Sequence, residues 1–365
     1  MAAAEKMSAL IKPYDQYGLK FTDDIEIPEC GPNEVLIKVI TSSVCGTDLH
    51  IYKSDSSISS RVADNQIIGH EFCGEVVQVG KLISTHQLGD IVASESHIVD
   101  YTCFQCLNGQ KHLCQNISLI GIDRPGGLAQ YVSIPAANAI IMTDEIRNGM
   151  VSYEIASFMD AYGNAVDTAT TIPLAAKTVL VTGAGPQGLM AIAVALSTGA
   201  DQIIATEVSE NRLEMAREII KTHSHSEHRN DLVLNAKNPD LVAQVLKATG
   251  GLGVDVLMEM SGHPSAIKVG LSSLRNGGDA VILGVSSGDI QLDWPALIFK
   301  GITMHFRYGR KLYETWTVGR RLLQSGSVKL DSLVHKKSFK LEEFEEAFEL
   351  LLNGEAAKII FRPNG

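Results

Sequence analysis

The sequence predicts an α/β protein of two domains, a doubly wound parallel sheet joined to a second, β-rich domain. Three observations carry this. From residue 151 to about residue 300, short apolar runs alternate with helical patterns of about ten residues, the mark of right-handed βαβ units. Residues 7–100 instead alternate short apolar runs with turn residues. A length of 365 residues suits two domains.

The elements follow in order. Residues 35–40, 74–80 and 89–93 read as strands, 100–127 as a loop-rich lobe, and 128–134 as a further strand. Beyond the change of texture, strands are expected at 178–182, 202–207, 231–235, 254–260 and 280–285. Helices are expected between them at 187–198, 210–221, 239–248 and 264–274. The tail carries a helix over 341–353 and ends in a strand-like run at 358–361.

Composition narrows the function. With 45% hydrophobic and 20% charged residues the chain has ample material for a core, and it contains no run of 18 apolar residues. The start lacks an apolar secretory segment, so a cytoplasmic protein is expected. A net charge of −11 argues against nucleic acid or an anionic membrane surface as the main partner. A small anionic cofactor remains compatible, because backbone amides bind phosphate locally. Six cysteines, in a chain of this kind, read as metal ligands or free thiols.

Gly183-Ala-Gly185-Pro186-Gln187-Gly188 fits G-x-G-x-x-G, after an apolar run and at the start of a helical one. Gly183 suits the tight turn, Gly185 a close approach of backbone to pyrophosphate, and Gly188 helix–strand packing. Glu207 ends the next strand, where a carboxylate hydrogen-bonds ribose hydroxyls and repels a 2′-phosphate, so NAD is expected over NADP. Arg212, nearby, is either a phosphate partner or a helix surface charge.

Cys45, His70 and Glu71 are the side-chain types that hold a borderline-soft divalent metal such as zinc. His70 and Glu71 would face opposite ways in a regular strand, so the chain must bend there, which Gly69 permits. Cys103, Cys106 and Cys114 form most of a structural zinc pattern. Asp100 stands three residues before Cys103, so the lobe holds either zinc through one aspartate and three cysteines or three free thiols. On residue type alone, Thr47 also suits a helix cap, His50 a solvated face and His97 packing. His223, His225 and His228 read as a solvated loop, and Lys247, Arg310 and Lys311 as solvated charges.

These motifs, in this chain order, resemble the zinc-dependent medium-chain dehydrogenases. The likeness runs from residue 35 to 361. It rests on Cys45-Gly-Thr-Asp-Leu-His-Ile-Tyr52, Gly69-His-Glu71, Glu95-Ser-His-Ile98, Gly121-Ile-Asp-Arg-Pro-Gly126, Gly163-Asn-Ala-Val166, Glu259-Met-Ser-Gly262, Phe299-Lys-Gly301 and Tyr308-Gly-Arg310 with Glu314-Thr-Trp316. The resemblance implies a GroES-like catalytic domain over 1–161 and 308–365 and an NAD-binding Rossmann domain over 162–307. It implies Cys45, His70, Glu71 and Asp160 about a catalytic zinc, Thr47 and His50 as a proton path, and His97 lining the substrate pocket. It further implies Gly183, Gly185, Gly188 and Glu207 about NAD, and a homotetramer or homodimer, with 280–285 and 303–306 as pairing edges. The implied reaction is oxidation of a secondary alcohol, L-threonine before a polyol or 2,3-butanediol. Threonine's carboxylate would need a donor such as Arg124. A binding protein that keeps the fold without turnover is the non-enzymatic alternative. Three positions depart from the family pattern: Asp100 replaces the first lobe cysteine, Ala161 replaces a proline, and Gln130 stands where glutamate is common.

Overall fold

The first unit is built from antiparallel strands whose branched residues alternate sides, the pattern that buries one face of a pleated sheet. The computed structural model describes residues 5–224, 229–286 and 288–365. Strands β1 (Lys6–Lys12) and β2 (Lys20–Glu26) pair first, and the long β3 (Glu34–Ser43) follows. Then come β4 (Gln66–Ile67), β5 (Glu71–Val79), β6 (Ile91–Ser94), β7 (His97–Ile98), β8 (Ser118–Leu119), β9 (Tyr131–Pro135) and β10 (Ala139–Ile141). Val35, Ile37 and Val39 of β3 are buried with Phe72, Val76 and Val92 from β5 and β6 and with Val132 and Ile134 from β9. The main sheet runs β10-β6-β5-β3, with β9 also on β3, while β4 lies beside β1 and β7 pairs β8. The loop-rich lobe falls between β7 and β8.

The second unit is a six-stranded parallel sheet: β11 (Thr178–Thr182), β12 (Gln202–Glu207), β13 (Leu232–Asn235), β14 (Val254–Glu259), β15 (Leu274–Ile282) and β16 (Thr303–Phe306). Its order is β13-β12-β11-β14-β15-β16. The order reverses between β11 and β14, and the crevice beyond the strand ends at such a point is where open α/β sheets bind ligands. The helix Pro186–Ser197 is buried from Gly188 through Leu196, as expected of a helix apolar all round. After this unit β17 (Ile360–Phe361) returns to the first sheet, placing Ile360 beside Ser43 of β3.

Four expectations change. The units comprise residues to Ala161 with Val334–Gly365, and Tyr162–Leu333, so 308–333 packs in the second unit and not the first. The reason is local: a Cβ on Gly319 of the helix Glu314–Gln324 would lie 2.8 Å from the Tyr162 ring, and Trp316 and Leu323 are buried. Residues 280–282 are no edge, because β15 is paired on both sides; β16 is the edge strand. Arg310 is not solvated but fully buried, its Nη1 donating to Asn164 Oδ1 at 3.2 Å. His223 is also buried; its Nδ1 meets Ile219 O at 2.8 Å and its Nε2 accepts from Lys329 N at 2.9 Å. His225 and His228 lie outside the described residues. No helix among the described residues is long and apolar enough to cross a membrane.

Asp255 ties the parallel sheet together at one end. Its Oδ2 accepts from Thr178 N at 2.9 Å and its Oδ1 from Arg275 Nε at 2.7 Å, joining β11, β14 and β15. Burial pushes its pKa up, but the Arg275 guanidinium and the Thr178 amide outweigh this and hold it below the ordinary value. A lowered carboxyl pKa stabilises the fold above the unfolded pKa of about 3.9, and that stabilisation fades as pH falls through the folded value. Asp255→Asn is expected to lower stability by about 1–2 kcal/mol at neutral pH. The difference from wild type should shrink as pH drops below about 4, as read by denaturant unfolding across pH.

Candidate metal and dinucleotide sites

The register Ser43↔Glu71 sets the end of β3 beside the start of β5. Two residues past Ser43, Cys45 caps the helix Gly46–Tyr52 with extended φ and ψ, and its N–H donates to Asp48 Oδ2 at 2.9 Å. One residue before Glu71, His70 leaves a bend made by Gly69, whose φ is +93°. The backbone is crowded there: Cβ atoms added to Gly121 and Gly126 would lie 2.6 and 2.2 Å from the Gly69 carbonyl oxygen. The Gly121–Gly126 turn thus packs directly on the residue that delivers His70. As a result the ligand atoms of Cys45, His70 and Glu71 lie within 4.8 Å of one another, though the last two are neighbours in sequence.

His70 is 6% exposed. Its Nδ1 sits 3.6 Å from Asp48 Oδ1, an ion-pair distance, and neither atom makes a hydrogen bond among the described residues. Asp48 therefore faces one ring nitrogen and leaves Nε2 to join the Cys45 thiol, as carboxylates behind metal-binding imidazoles do. Burial alone would lower the imidazole pKa; the charges of Asp48, Cys45 and Asp160 prevail and hold it well above the ordinary value. Burial raises the pKa of Asp48 itself. A buried imidazole backed by a carboxylate and grouped with a thiol and a second carboxylate is a donor set that fits zinc. Glu71 is fully buried, and both of its oxygens contact Lys358 Nζ, at 2.9 and 2.6 Å.

Asp160 lies in the first turn of the helix Met159–Thr170 and is buried, and Ala161 continues that helix. Its Oδ1 accepts from Ser96 N at 2.9 Å, and its carboxylate gathers with Glu95 and His97 within 4.8 Å. It is thus placed with His97 and not in the tight Cys45–His70–Glu71 group, although its charge reaches His70. Glu95 Oε1 takes both the His97 backbone N–H, at 3.0 Å, and His97 Nδ1, at 3.1 Å, so it orients that ring. Thr47 is not the helix cap, since Cys45 is. Thr47 and His50 stand three apart on one helix face, and the His50 side chain is 59% exposed with Nδ1 2.9 Å from Asp55 Oδ2. Arg124 is held by Glu34 Oε1 at 2.8 Å.

Asp100, Cys103, Cys106 and Cys114 also bring their ligand atoms within 4.8 Å. The Sγ atoms of Cys103 and Cys114 are 3.8 Å apart. That is far beyond a disulfide bond, whereas sulfurs bonded at about 2.3 Å to one tetrahedral ion lie about 3.8 Å apart. Asp100 Oδ1 accepts from Thr102 N at 2.9 Å and Cys103 N at 3.0 Å, and Oδ2 accepts from Asn116 Nδ2 at 2.6 Å. These donors hold its carboxyl far below the ordinary range. A carboxylate has about four lone-pair sites, so one stays available to complete a tetrahedral set.

In the second unit Gly183 has φ +91°, and a Cβ on it would meet Ser261 at 2.8 Å. A Cβ on Gly188 would lie 2.0 Å from the Gly183 carbonyl oxygen. Gly185 faces open space, which leaves its backbone accessible to a pyrophosphate, and it caps the helix that Pro186 and Gln187 begin. The helix start offers N–H groups and a positive dipole end to phosphate. A cavity of about 430 Å³ runs from Gly183 and Gly185 to Glu207, Arg212, Leu241 and His263. Glu207 is fixed in its wall: Oε2 accepts from Ala184 N at 3.0 Å, and Oε1 from Val208 N at 2.7 Å and Ser209 N at 3.2 Å. Sequence alone does not single out Asp48, Glu95, Lys358 or His263. The one readable signal is Lys358, a lone charge inside an apolar terminal run.

Comparison with known proteins agrees with this geometry. Residues 31–144 match the family description "Alcohol dehydrogenase GroES-like domain", and residues 186–324 match "Zinc-binding dehydrogenase". The chain is 41% identical to an L-threonine 3-dehydrogenase of Pyrococcus abyssi over 98% of this chain and 99% of the relative. It is 40% identical to an L-threonine 3-dehydrogenase of Francisella tularensis subsp. novicida over 97% and 99%. Among solved structures, 2R,3R-butanediol dehydrogenase from Bacillus subtilis superposes with a TM-score of 0.85 at 27% identity, covering 98% of this chain and all of that one. An Escherichia coli alcohol dehydrogenase complexed with NADH superposes at 0.86 with 22% identity, over 98% and 100%, and shows the shared fold. With its metal triplet, cysteine lobe and nucleotide-binding sheet all in place, the chain belongs to the zinc-dependent medium-chain alcohol dehydrogenase family.

Proposed function

We propose that the chain is an L-threonine 3-dehydrogenase that uses NAD and yields L-2-amino-3-oxobutanoate. The observation that carries this is the end-to-end identity of 40–41% to enzymes of that name, spanning both units. The chemistry divides between two groups. Zinc held by Cys45, His70 and Glu71 would supply Lewis acidity, making a secondary alcohol acidic enough to lose its proton near neutral pH. NAD would accept the hydride.

The chain's own residues do the rest. Thr47 and His50 lie on one face of their helix, and His50 ends in solvent, so the proton has a way out through the hydroxyl and the imidazole. Glu95 fixes the His97 ring, which favours one orientation of that side chain toward substrate. The buried carboxylates Glu95 and Asp160 make this part of the first unit anionic, which suits threonine's ammonium group. Arg124, engaged by Glu34, is less suited to the carboxylate than its sequence position suggests. The fixed Glu207 carboxylate supports NAD, since a 2′-phosphate beside it would be repelled. The butanediol dehydrogenase likeness favours a second reading, a diol dehydrogenase.

Steady-state assays separate these readings. L-threonine should give a higher kcat/KM than 2,3-butanediol or sorbitol, and no NADH formation from threonine would rule out the first. Wild type should prefer NAD to NADP, and Glu207→Ala should narrow that preference by about tenfold or more. Equal kcat/KM for both cofactors in wild type would remove Glu207 from this role.

A further inference from the structure

Lys358 is 1% exposed and Glu71 fully buried, and they meet across 287 residues of sequence. The three N–H groups of the ammonium are all accounted for: Glu71 Oε1 at 2.9 Å, Glu71 Oε2 at 2.6 Å and Val44 O at 3.3 Å. The Phe158 ring, 5.4 Å away, closes one side. The backbone beneath Lys358 is fixed as well, since His335 N donates to its carbonyl at 2.8 Å and β17 begins two residues later on β3. A buried ammonium so fully engaged is placed and not incidental.

Its partner is the carboxylate that stands with Cys45 and His70. Ser43 Oγ also donates to Glu71 Oε2. Of about four lone-pair sites on the carboxylate, Lys358 takes two and Ser43 one, which leaves one on Oε1. The ammonium also offsets the carboxylate's negative charge at a distance where that matters. We propose that Lys358 is a positioning residue that restrains the Glu71 carboxylate and so weakens its hold on a metal ion at Cys45 and His70. The proposal rests on the zinc site, and not on threonine as substrate. A weaker anion leaves a stronger Lewis acid, so the restraint favours turnover over tight metal binding.

The test is zinc affinity of the full chain, measured by competition with a chromogenic chelator and fitted for two sites. Wild type is compared with Lys358→Met, Lys358→Arg, Glu71→Gln and the double variant Lys358→Met/Glu71→Gln. Lys358→Met should bind zinc about tenfold tighter or more at one site, because the freed carboxylate turns to the metal. Lys358→Arg, which keeps the pair, should stay near wild type. In the Glu71→Gln background, Lys358→Met should change zinc affinity by less than about twofold. Zinc should raise the thermal midpoint of Lys358→Met more than that of wild type, which a purely structural role would not do. Unchanged or weaker zinc binding in Lys358→Met overturns the proposal, as does an equal effect in the Glu71→Gln background. So does a Lys358→Met chain that fails to fold with zinc present, since zinc should replace the lost partner of Glu71. Cys45→Ser serves as the control: undiminished zinc binding there would refute the zinc site itself.

Discussion

The pairing of Ser43 with Glu71 is the constraint on which the metal centre depends. It joins the end of one strand to the start of another, so that residues 25 apart in sequence come within bonding range of one ion. Everything around it serves that junction. Cys45 turns into a helix whose third residue, Asp48, both receives the Cys45 amide and faces His70. Gly121 and Gly126 press on Gly69 and set where His70 leaves the bend. The segment just before the C-terminal strand adds Lys358 from the far end of the chain. A slip of one residue in the β3–β5 register would turn Glu71 away from its partners, which is how strand registers fail.

The second unit meets a different demand, an anionic ligand on a chain of net charge −11. It does so with backbone. Gly183 and Gly188 close on neighbouring main-chain atoms, while Gly185 alone faces open space. Glu207, pinned by three backbone N–H groups, leaves the cavity wall acidic at a defined place. Local positive dipole and fixed negative charge thus adjoin, Ala184 N donating to Glu207 Oε2 just before the helix start, an arrangement that accepts a pyrophosphate and disfavours an added phosphate on the ribose.

Much of this was readable in the sequence because it is local or carries a motif. The parallel-sheet strands and their helices have strong periodicity, and Gly183 to Gly188 declares itself by spacing. Cys45 and His70 are rare residue types close together, with Glu71 adjoining. What was not readable depends on distant contacts. Asp48 matters only because His70 arrives beside it, and Glu95 only because His97 turns back on it. Residues 280–285 look like a possible edge until the crossover order places β16 outside them. The helix at 314–324 shows an apolar stripe that does not say which unit it will cover. Asp160 was expected among the zinc ligands, yet its carboxylate meets Ser96 N and the Glu95–His97 pair.

The most direct test of the metal centre is X-ray absorption at the zinc edge on a Cys103→Ser/Cys114→Ser chain, in which the lobe should no longer hold metal. The account predicts one zinc per chain with a single sulfur at about 2.3 Å and nitrogen and oxygen ligands at about 2.0–2.2 Å. The sulfur should vanish in a further Cys45→Ser variant. Two or more sulfurs, or a signal indifferent to Cys45, would contradict it.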